Sequence, residues 1–311
     1  MTLQQLYYAL TIAKMGSMNK AAEALYISQP SLTAAIKELE KECGLSIFLR
    51  TGRGVVPTAE GEEFLTQARQ VHQQYELLLE KYGSYERGSL KRKFGVSTQH
   101  YSFAVKAFVE MVKKFDILKY EFAIRETRTY EVIHDVGTLK SEIGILYLSD
   151  LNRKIIGKLL LEYDLEFHWL INCQAYVYLW RRHPLAGESS ITMSQLADYP
   201  CLSFEQGKNS SVYFAEEILS ENEYLRTVKT NDRATMLNLM VGLLGYTLCS
   251  GIICEELNGS DYVAVPFCAD DANQNSQMEI GYITKRHAPL SRLGEVYIEE
   301  MKKYLSTEAP Q

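Results

Sequence analysis

The spacing of apolar and small residues near the start of the chain predicts two short helices joined by a tight turn. Alanines at 21, 22 and 24 allow the first helix, within residues 19–26, to lie close to a neighbour. In the second helix, Leu32, Ile36 and Leu39 recur at i, i+4 and i+7 and share one face. Ser28 is placed to cap that helix, and Pro30 is compatible with its first turn.

The opposite face of the second helix carries polar side chains suited to a DNA major groove. Short polar groups and one lysine can reach base edges and phosphates there, namely Gln29, Ser31, Thr33 and Lys37. The pattern therefore predicts a helix-turn-helix with a recognition helix. An ordinary pair of antiparallel helices is the alternative interpretation.

The segment after this helix predicts a basic β-wing. Gly44 ends the helix, and two apolar strands within 45–58 then flank an Arg-Thr-Gly-Arg-Gly turn that carries Arg50 and Arg53. A basic, glycine-rich tip suits contact with phosphates or insertion into a minor groove.

Residues 1–60 resemble the winged helix-turn-helix of the LysR-type transcriptional regulators. The resemblance rests on the order and spacing of residues 21–25, 28–33, 36–40 and 48–53. It implies a DNA-binding domain over residues 1–58. Together with the polar face described above, it gives the expected DNA-binding residues as Ser28, Gln29, Pro30, Ser31, Thr33, Lys37, Arg50 and Arg53.

A long helix is predicted from Thr58 to about Tyr82, followed by a glycine- and serine-containing hinge at residues 83–89. Its apolar positions step by four and three residues, which is a heptad seam: Phe64, Ala68, Val71, Tyr75, Leu78 and Tyr82. A narrow seam of this kind favours a partner helix in a dimer, with packing on the chain's own wing domain as the alternative. Residues 59–88 are therefore interpreted as a dimerisation helix and hinge.

Beyond the hinge, strands and helices alternate, which predicts an α/β domain with a parallel sheet. This region resembles the two-lobed, periplasmic-binding-protein-like effector domain of the same family. We expect lobe I to comprise about 89–162 and 269–305 and lobe II about 163–268, with a helix opening at Ser211.

The carboxyl ends of the strands predict a ligand cleft between the two lobes. Hydroxyls at strand-to-helix turns, with unpaired helix amides, suit a carboxylate or a similar anion, although Glu205 disfavours a strongly anionic ligand. From these turns and the resemblance, the expected effector-binding residues are Ser97, Thr98, Gln99, Thr127, Ser203 and Phe204. A simple helix-capping role for each hydroxyl is the alternative.

Charge supports a division into two modules. The chain carries a net charge of −6, but residues 1–57 hold six Lys and Arg against four Asp and Glu, so the remainder carries −8. The scattered cysteines and histidines show no metal-ligand spacing, and no metal or cofactor is expected. The uncharged stretch 236–254 is interpreted as a buried helix, turn and strand, not as a membrane span. Without an N-terminal signal segment, a cytoplasmic location is expected.

The sequence thus predicts a LysR-type transcriptional regulator and not an enzyme, because no nucleophile elbow, phosphate-cradling loop or paired metal ligands occur. The expected partners are an inverted-repeat operator in double-stranded DNA, a small-molecule effector and further copies of the chain in a homodimer or homotetramer. RNA polymerase is an additional partner if the protein is an activator. The alternatives are a redox-sensing regulator that uses Cys201 and a DNA-binding domain fused to an enzyme.

Overall fold

The structure, a computed structural model, describes residues 1–52, 54–82, 92–115, 120–207, 211–268 and 277–308, with the side chains of 77, 80–82 and 308 excluded. The chain forms two compact units, Met1–Arg87 and Gly88–Gln311. The predicted hinge, residues 83–89, lies entirely outside the described part.

The first unit is a helical domain with a two-stranded wing and a long final helix. Its elements are α1 (Leu3–Met15), α2 (Met18–Ala24), α3 (Gln29–Cys43), β1 (Phe48–Thr51), β2 (Gly54–Pro57) and α4 (Ala59–Tyr82). Side-chain oxygens of Thr2, Ser17 and Ser28 cap the first three helices, and glycines in the left-handed conformation end α1 and α3. Local sequence signals therefore set most of these boundaries.

A small apolar core holds the first unit together. Leu32, Ile36 and Leu39 on one face of α3 are buried, as their spacing predicted. They pack with Ile47, which precedes the wing, and with Leu65 of α4. Burial of large aliphatic side chains of this kind contributes about 1.5–3 kcal/mol each. The core fixes the polar face of α3 on the outside.

The second unit contains two five-stranded sheets, and the first of them defines lobe I. Its strands follow the order β4-β3-β5-β12-β6, in which β3 is parallel to β4 and β5, and β12 is antiparallel to both of its neighbours. The lobe consists of β3 (Arg92–Thr98), α5 (Ser102–Lys113), β4 (Tyr120–Glu126), α6 (Thr129–Gly137), β5 (Ile143–Leu148), α7 (Arg153–Glu162), β6 (Leu165–Gln174), β12 (Gln277–Lys285) and α11 (Arg292–Glu308).

The second sheet defines lobe II and follows the order β11-β7-β10-β8-β9. Its elements are β7 (Tyr176–Trp180), α8 (Met193–Leu196), β8 (Cys201–Phe204), β9 (Thr227–Thr230), α9 (Arg233–Leu243), β10 (Tyr246–Cys249), α10 (Glu255–Asn258) and β11 (Tyr262–Pro266). The predicted helix and strand in 236–254 are confirmed. No helix among the described residues is both long and apolar enough to cross a membrane.

Two sequence predictions in this unit are wrong. The strand from Leu165 belongs to lobe I and not to lobe II, because β6 pairs along its length with β12 and the chain leaves this sheet only at Ala175. The helix expected to open at Ser211 is a single 3-10 turn, Val212–Phe214, after which Ala215 turns to extended backbone. The next two residues, Glu216 and Glu217, enter the interior.

Candidate DNA-binding surface and effector cleft

The N-terminal end of α3 presents an ordered set of polar groups. Ser28 Oγ accepts from the amide of Ser31 at 3.2 Å, and the two hydroxyls are 2.7 Å apart. Gln29 Nε2 donates to Thr33 Oγ1 at 2.8 Å, one turn further along. Pro30, Ser31 and Lys37 are exposed, whereas Gln29 and Thr33 are half-buried. Among the described residues, none donates a hydrogen bond to the Oε1 oxygen of Gln29.

The wing is fixed to the end of α1 by a close backbone approach. Val55 donates its amide to the carbonyl of Gly16 at 2.9 Å, and a Cβ at Gly54 would lie 2.4 Å from that carbonyl oxygen. Position 54, at φ +135°, therefore requires glycine. Arg50 is exposed on β1, opposite Val55. Arg53 lies outside the described residues.

Tyr26 is a surface feature that the sequence reasoning missed. Its side chain is 96% exposed, and its backbone is left-handed with φ 55° in the turn that leads to α3. An aromatic side chain held out beside a recognition helix is a candidate for contact with the sugar-phosphate backbone. The signal available in the sequence was a large aromatic residue inside a tight turn.

The heptad seam of α4 divides into two parts. Ala68 is buried and Phe64 packs against the core of its own unit, as the alternative interpretation predicted for this part. Val71, Tyr75 and Leu78 are 46%, 39% and 57% exposed and form an apolar stripe. The side chain of Tyr82 is outside the description. Only the later half of the seam is thus available to a partner helix.

In the second unit, the hydroxyls of Ser97 and Thr98 are bonded within lobe I, and neither residue is among those that line the cavities described below. Ser97 Oγ donates to Asp135 Oδ2 at 2.7 Å and lies 2.8 Å from Ser141 Oγ. Thr98 Oγ1 donates to the carbonyl of Gln99 at 2.7 Å. Both residues are fully buried, because β3 is a central strand of lobe I.

Gln99 is also buried and ties three elements of lobe I together. Its Nε2 donates to Thr129 Oγ1 at 2.6 Å, and its Oε1 accepts from the Tyr147 amide at 3.0 Å and the Tyr101 hydroxyl at 3.1 Å. All of these polar contacts are internal. Gln99 therefore stabilises the interior of lobe I and is not among the residues that line the cavity.

The cleft between the lobes holds a cavity of about 300 Å³. Of the predicted residues, Thr127 and Phe204 line it, while Ser203 is half-buried on β8 and does not. The lining comprises His100, Glu126, Thr127, Arg128, Glu131, Phe204, Glu205 and Asn231. The ring of His100 stacks on Phe204 with centroids 3.7 Å apart and planes within 5°.

Among the described residues, three acid–base pairs join lobe I to lobe II around this cavity. Arg128 Nε donates to the carbonyl of Glu205 at 2.9 Å, and its Nη2 lies 3.7 Å from the Glu205 carboxylate. Glu126 pairs with Arg233 at the start of α9. The third pair joins His100 to Glu216.

Glu216 is held deep between the lobes. Its Oε2 accepts from both the backbone amide of His100 at 2.9 Å and the ring Nδ1 at 2.8 Å. Its Oε1 accepts from Gln206 Nε2 at 3.1 Å. The two side chains of the His100–Glu216 pair are only 5% and 6% exposed. Sequence reasoning missed both residues, because these contacts form between distant segments of the chain.

The neighbouring Glu217 is also buried, and its Oε1 accepts from the amide of Phe204 at 2.7 Å. Burial, and next the charge of Glu216, raise the pKa of Glu217 to about 8. Glu217 is therefore largely protonated at neutral pH.

A second, mainly apolar cavity of about 80 Å³ lies under α9 and β10. Tyr178, Met236 and Met240 line it, and His100 and Phe204 line both this cavity and the larger one. The two cavities therefore share an aromatic wall. A ligand with a short apolar group fits this arrangement.

Two further features of the second unit carry chemically reactive side chains, a cysteine and a cluster of three metal-ligating residue types. The surroundings of each limit its reactivity. Cys201 is buried, and burial raises the pKa of its thiol to about 12. Glu131, His134 and Asp135 lie close enough to share a metal ion. Asp135, however, accepts from Lys140 at 2.8 Å and from Ser97, so both of its oxygens are engaged within the protein.

Comparison with known protein families matches both units. Residues 3–62 match the bacterial regulatory helix-turn-helix protein, lysR family, and residues 121–306 match the LysR substrate binding domain. The chain is 27% identical over 295 residues to the HTH-type transcriptional regulator AlsR of Bacillus subtilis, with 93% of each chain covered. It is 26% identical over 212 residues to the RuBisCO operon transcriptional regulator of Allochromatium vinosum, covering 67% of this chain and 66% of that one.

Solved structures show the same fold. A cysteine-to-aspartate variant of full-length OxyR from Pseudomonas aeruginosa has a TM-score of 0.70 at 21% identity, covering 97% of this chain and 95% of that one. CbnR, a LysR family transcriptional regulator, has a TM-score of 0.55 at 16% identity, covering 98% and 99%. The winged helix-turn-helix, the two-lobed domain and both family matches agree. The chain belongs to the LysR family of DNA-binding transcriptional regulators.

Proposed function

We propose that this regulator binds an inverted-repeat operator as a dimer and that a small molecule in the cleft between lobes I and II changes that binding. The observation that carries the proposal is the 300 Å³ cavity, whose walls come from both lobes and whose rim is closed by cross-lobe ion pairs. A ligand there contacts both lobes, and so it binds their possible arrangements with different affinity. Such differential affinity is the requirement for an effector.

The DNA side of the proposal rests on α3 and the wing. Gln29, Ser31, Thr33 and Lys37 form the polar face, and Arg50 adds a positive charge at the wing. Ser28 and Pro30 order the first turn of α3, and Arg53 is assigned by the family resemblance alone. Gln29 is the side chain best suited to pair with an adenine edge, since its amide carries both a donor and an acceptor. The arginines bind phosphates and set the overall affinity.

The dimer rests on the exposed stripe of α4. Val71, Tyr75 and Leu78 leave an apolar surface that a second copy of the helix would bury. A two-fold dimer places two α3 helices for two half-sites. A homotetramer built from such dimers, and contact with RNA polymerase in an activator, are the larger assemblies we expect.

The effector site is assigned to Thr127 and Phe204, which the sequence predicts, and to His100 and Arg128, which line the same cavity. Ser97, Thr98 and Gln99 are buried in lobe I and immediately precede His100 in the sequence. A redox-sensing function through Cys201 is less well supported, because a buried thiol with a raised pKa is a poor nucleophile. The similarity to OxyR structures concerns the fold alone.

Selection of binding sequences from random DNA by the full-length protein tests the proposal. We expect enrichment of an inverted repeat with half-sites one or two helical turns apart. A metabolite screen by thermal shift, followed by operator affinity with and without each hit, tests the effector. Enrichment of unpaired single sites, or hits that leave operator affinity unchanged in every case, would contradict it.

A further inference from the structure

The cleft contains a complete carboxylate-binding position that the chain itself fills. The backbone amide of His100, its ring Nδ1 and the Gln206 amide converge on the carboxylate of Glu216 at 2.8–3.1 Å. We name these three donors the cradle. It combines a main-chain amide with two side-chain donors, and Glu216 occupies it with 6% exposure.

The cradle belongs to both lobes. His100 precedes α5 in lobe I, whereas Gln206 and Glu216 lie in the segment between β8 and β9 of lobe II. The carboxylate therefore makes the same cross-lobe bonds that a bound carboxylic acid would make. Charge-assisted bonds of this kind are among the stronger ones in proteins.

The surroundings oppose a second carboxylate. Among the described residues that line the 300 Å³ cavity, Glu126, Glu131 and Glu205 stand against a single arginine, Arg128. That arginine already contacts Glu205, and the nearby Arg233 is paired with Glu126. An anionic ligand would have to displace the buried Glu216 carboxylate, which accepts three hydrogen bonds, or enter beside it without a cationic partner. Either course is unfavourable.

We propose that Glu216 is a built-in ligand of the cleft, and that by filling the cradle it makes the cleft select effectors without a negative charge. The ligand class is a small uncharged or cationic molecule whose apolar group contacts Phe204 and reaches the cavity lined by Met236 and Met240. This inference rests on the proposed function, in which the same cleft is the effector site.

Chemical rescue tests the assignment directly. Glu216→Ala removes a CH₂–COO⁻ group, and acetate has the size and charge to replace it. In the full-length variant we expect a melting temperature several degrees below that of the wild type, and saturable recovery by sodium acetate in the millimolar range. Sodium chloride at equal ionic strength controls for the effect of salt. The variant Glu299→Ala removes an exposed glutamate on α11 and controls for the loss of a carboxylate. A folded Glu216→Ala protein that acetate does not stabilise overturns the proposal.

A second arm uses only the wild-type protein and so does not depend on the variant folding. Butyrate and butyramide match in size and differ in charge. If butyrate raises the melting temperature no more than butyramide does, the result supports selection against a negative charge. A larger rise with butyrate overturns it.

Operator affinity, measured in parallel by fluorescence anisotropy on DNA selected as above, separates this inference from the proposed function. Rescue of thermal stability together with a change in operator affinity supports both. In a second outcome, acetate restores thermal stability while neither Glu216→Ala nor acetate changes operator affinity. This outcome supports the cradle and counts against the effector role of the cleft. Butyrate binding that alters operator affinity overturns the selection and leaves the effector role intact.

Discussion

The guanidinium of Arg128 in lobe I occupies the space that a side chain at Gly207 in lobe II would need. A Cβ at Gly207 would lie 2.5 Å from Nη1 and 2.9 Å from Cζ of Arg128. Gly207 also has a φ of +60°, which glycine adopts without strain. The absence of a side chain therefore lets Arg128 reach the backbone of lobe II, where its Nε donates to the Glu205 carbonyl.

Gly207→Ala is expected to weaken the closure of the lobes. The methyl group displaces Arg128, and the left-handed backbone adds about 1–2 kcal/mol of strain. Hydrogen exchange should accelerate at the amide of Thr129, which donates across the lobes to Gln206.

The control is Gly259→Ala, because Gly259 has a φ of +82° with nothing near its Cβ position. It places a Cβ at a positive φ without the clash. Equal acceleration at Thr129 in both variants would show that strain, and not the contact with Arg128, is responsible.

Gln29→Ala and Arg50→Ala should act differently on DNA. Loss of the amide that pairs with a base is expected to cost roughly 1–3 kcal/mol on the selected operator and to relax preference at one base pair per half-site. Loss of Arg50 should weaken binding to operator and random DNA alike and reduce the salt dependence. Anisotropy titrations on both DNAs at several salt concentrations measure this. Equal losses on both DNAs for Gln29→Ala would remove its role in base recognition.

The apolar stripe of α4 should carry dimerisation. Leu78→Glu places a charge where an apolar partner surface is expected, so the dissociation constant of the dimer should rise at least tenfold. Gln74→Glu adds the same charge at an exposed position of the same helix outside the seam and should have little effect. Sedimentation equilibrium compares the two variants. An assembly unchanged by Leu78→Glu would contradict the coiled-coil assignment.

Local sequence signals predicted the first unit well. The caps, the glycine stops and the apolar spacing of α3 act within a few residues, so the sequence near each helix contains them. The division of the α4 seam was not predictable in this way. Whether Ala68 or Leu78 is covered depends on how far the core of the first unit extends along the helix.

The features of the effector domain that were missed depend on distant segments. The membership of β6 in lobe I depends on β12, which lies about a hundred residues later in the sequence. The burial of Glu216 depends on His100, 116 residues earlier, and glutamate is rarely buried without such a partner. The hydrogen bond that Ser97 donates to Asp135, 38 residues later in the sequence, was likewise not predictable from the residues around Ser97.

Cys201 should react slowly with alkylating reagents. With a pKa of about 12, only about one thiol in 10⁵ is ionised at pH 7, and the side chain is also buried. Iodoacetamide followed by peptide mass spectrometry should label the exposed Cys268 first and Cys201 only after unfolding. Rapid labelling of native Cys201, or loss of a peroxide response in Cys201→Ala, would favour the redox-sensing alternative.

The raised pKa of Glu217 predicts a pH-dependent stability. In the unfolded chain this carboxyl has an ordinary pKa near 4.5, and burial in the folded protein raises the pKa to about 8. The folded state therefore binds the proton more tightly. The stability linked to this group is fully present below about pH 4.5, declines as the pH rises and is lost above about pH 8.

Between pH 6 and pH 8.5 we expect the free energy of unfolding of the wild type to fall more than that of Glu217→Gln, with a difference on the order of a few kcal/mol. The glutamine retains an oxygen that accepts from the Phe204 amide but does not titrate. Urea denaturation of the full-length proteins at several pH values measures the difference, and Glu299→Gln, which changes an exposed carboxylate, should keep the wild-type profile. Parallel profiles for the wild type and Glu217→Gln would mean that Glu217 is already ionised in the folded protein near pH 6.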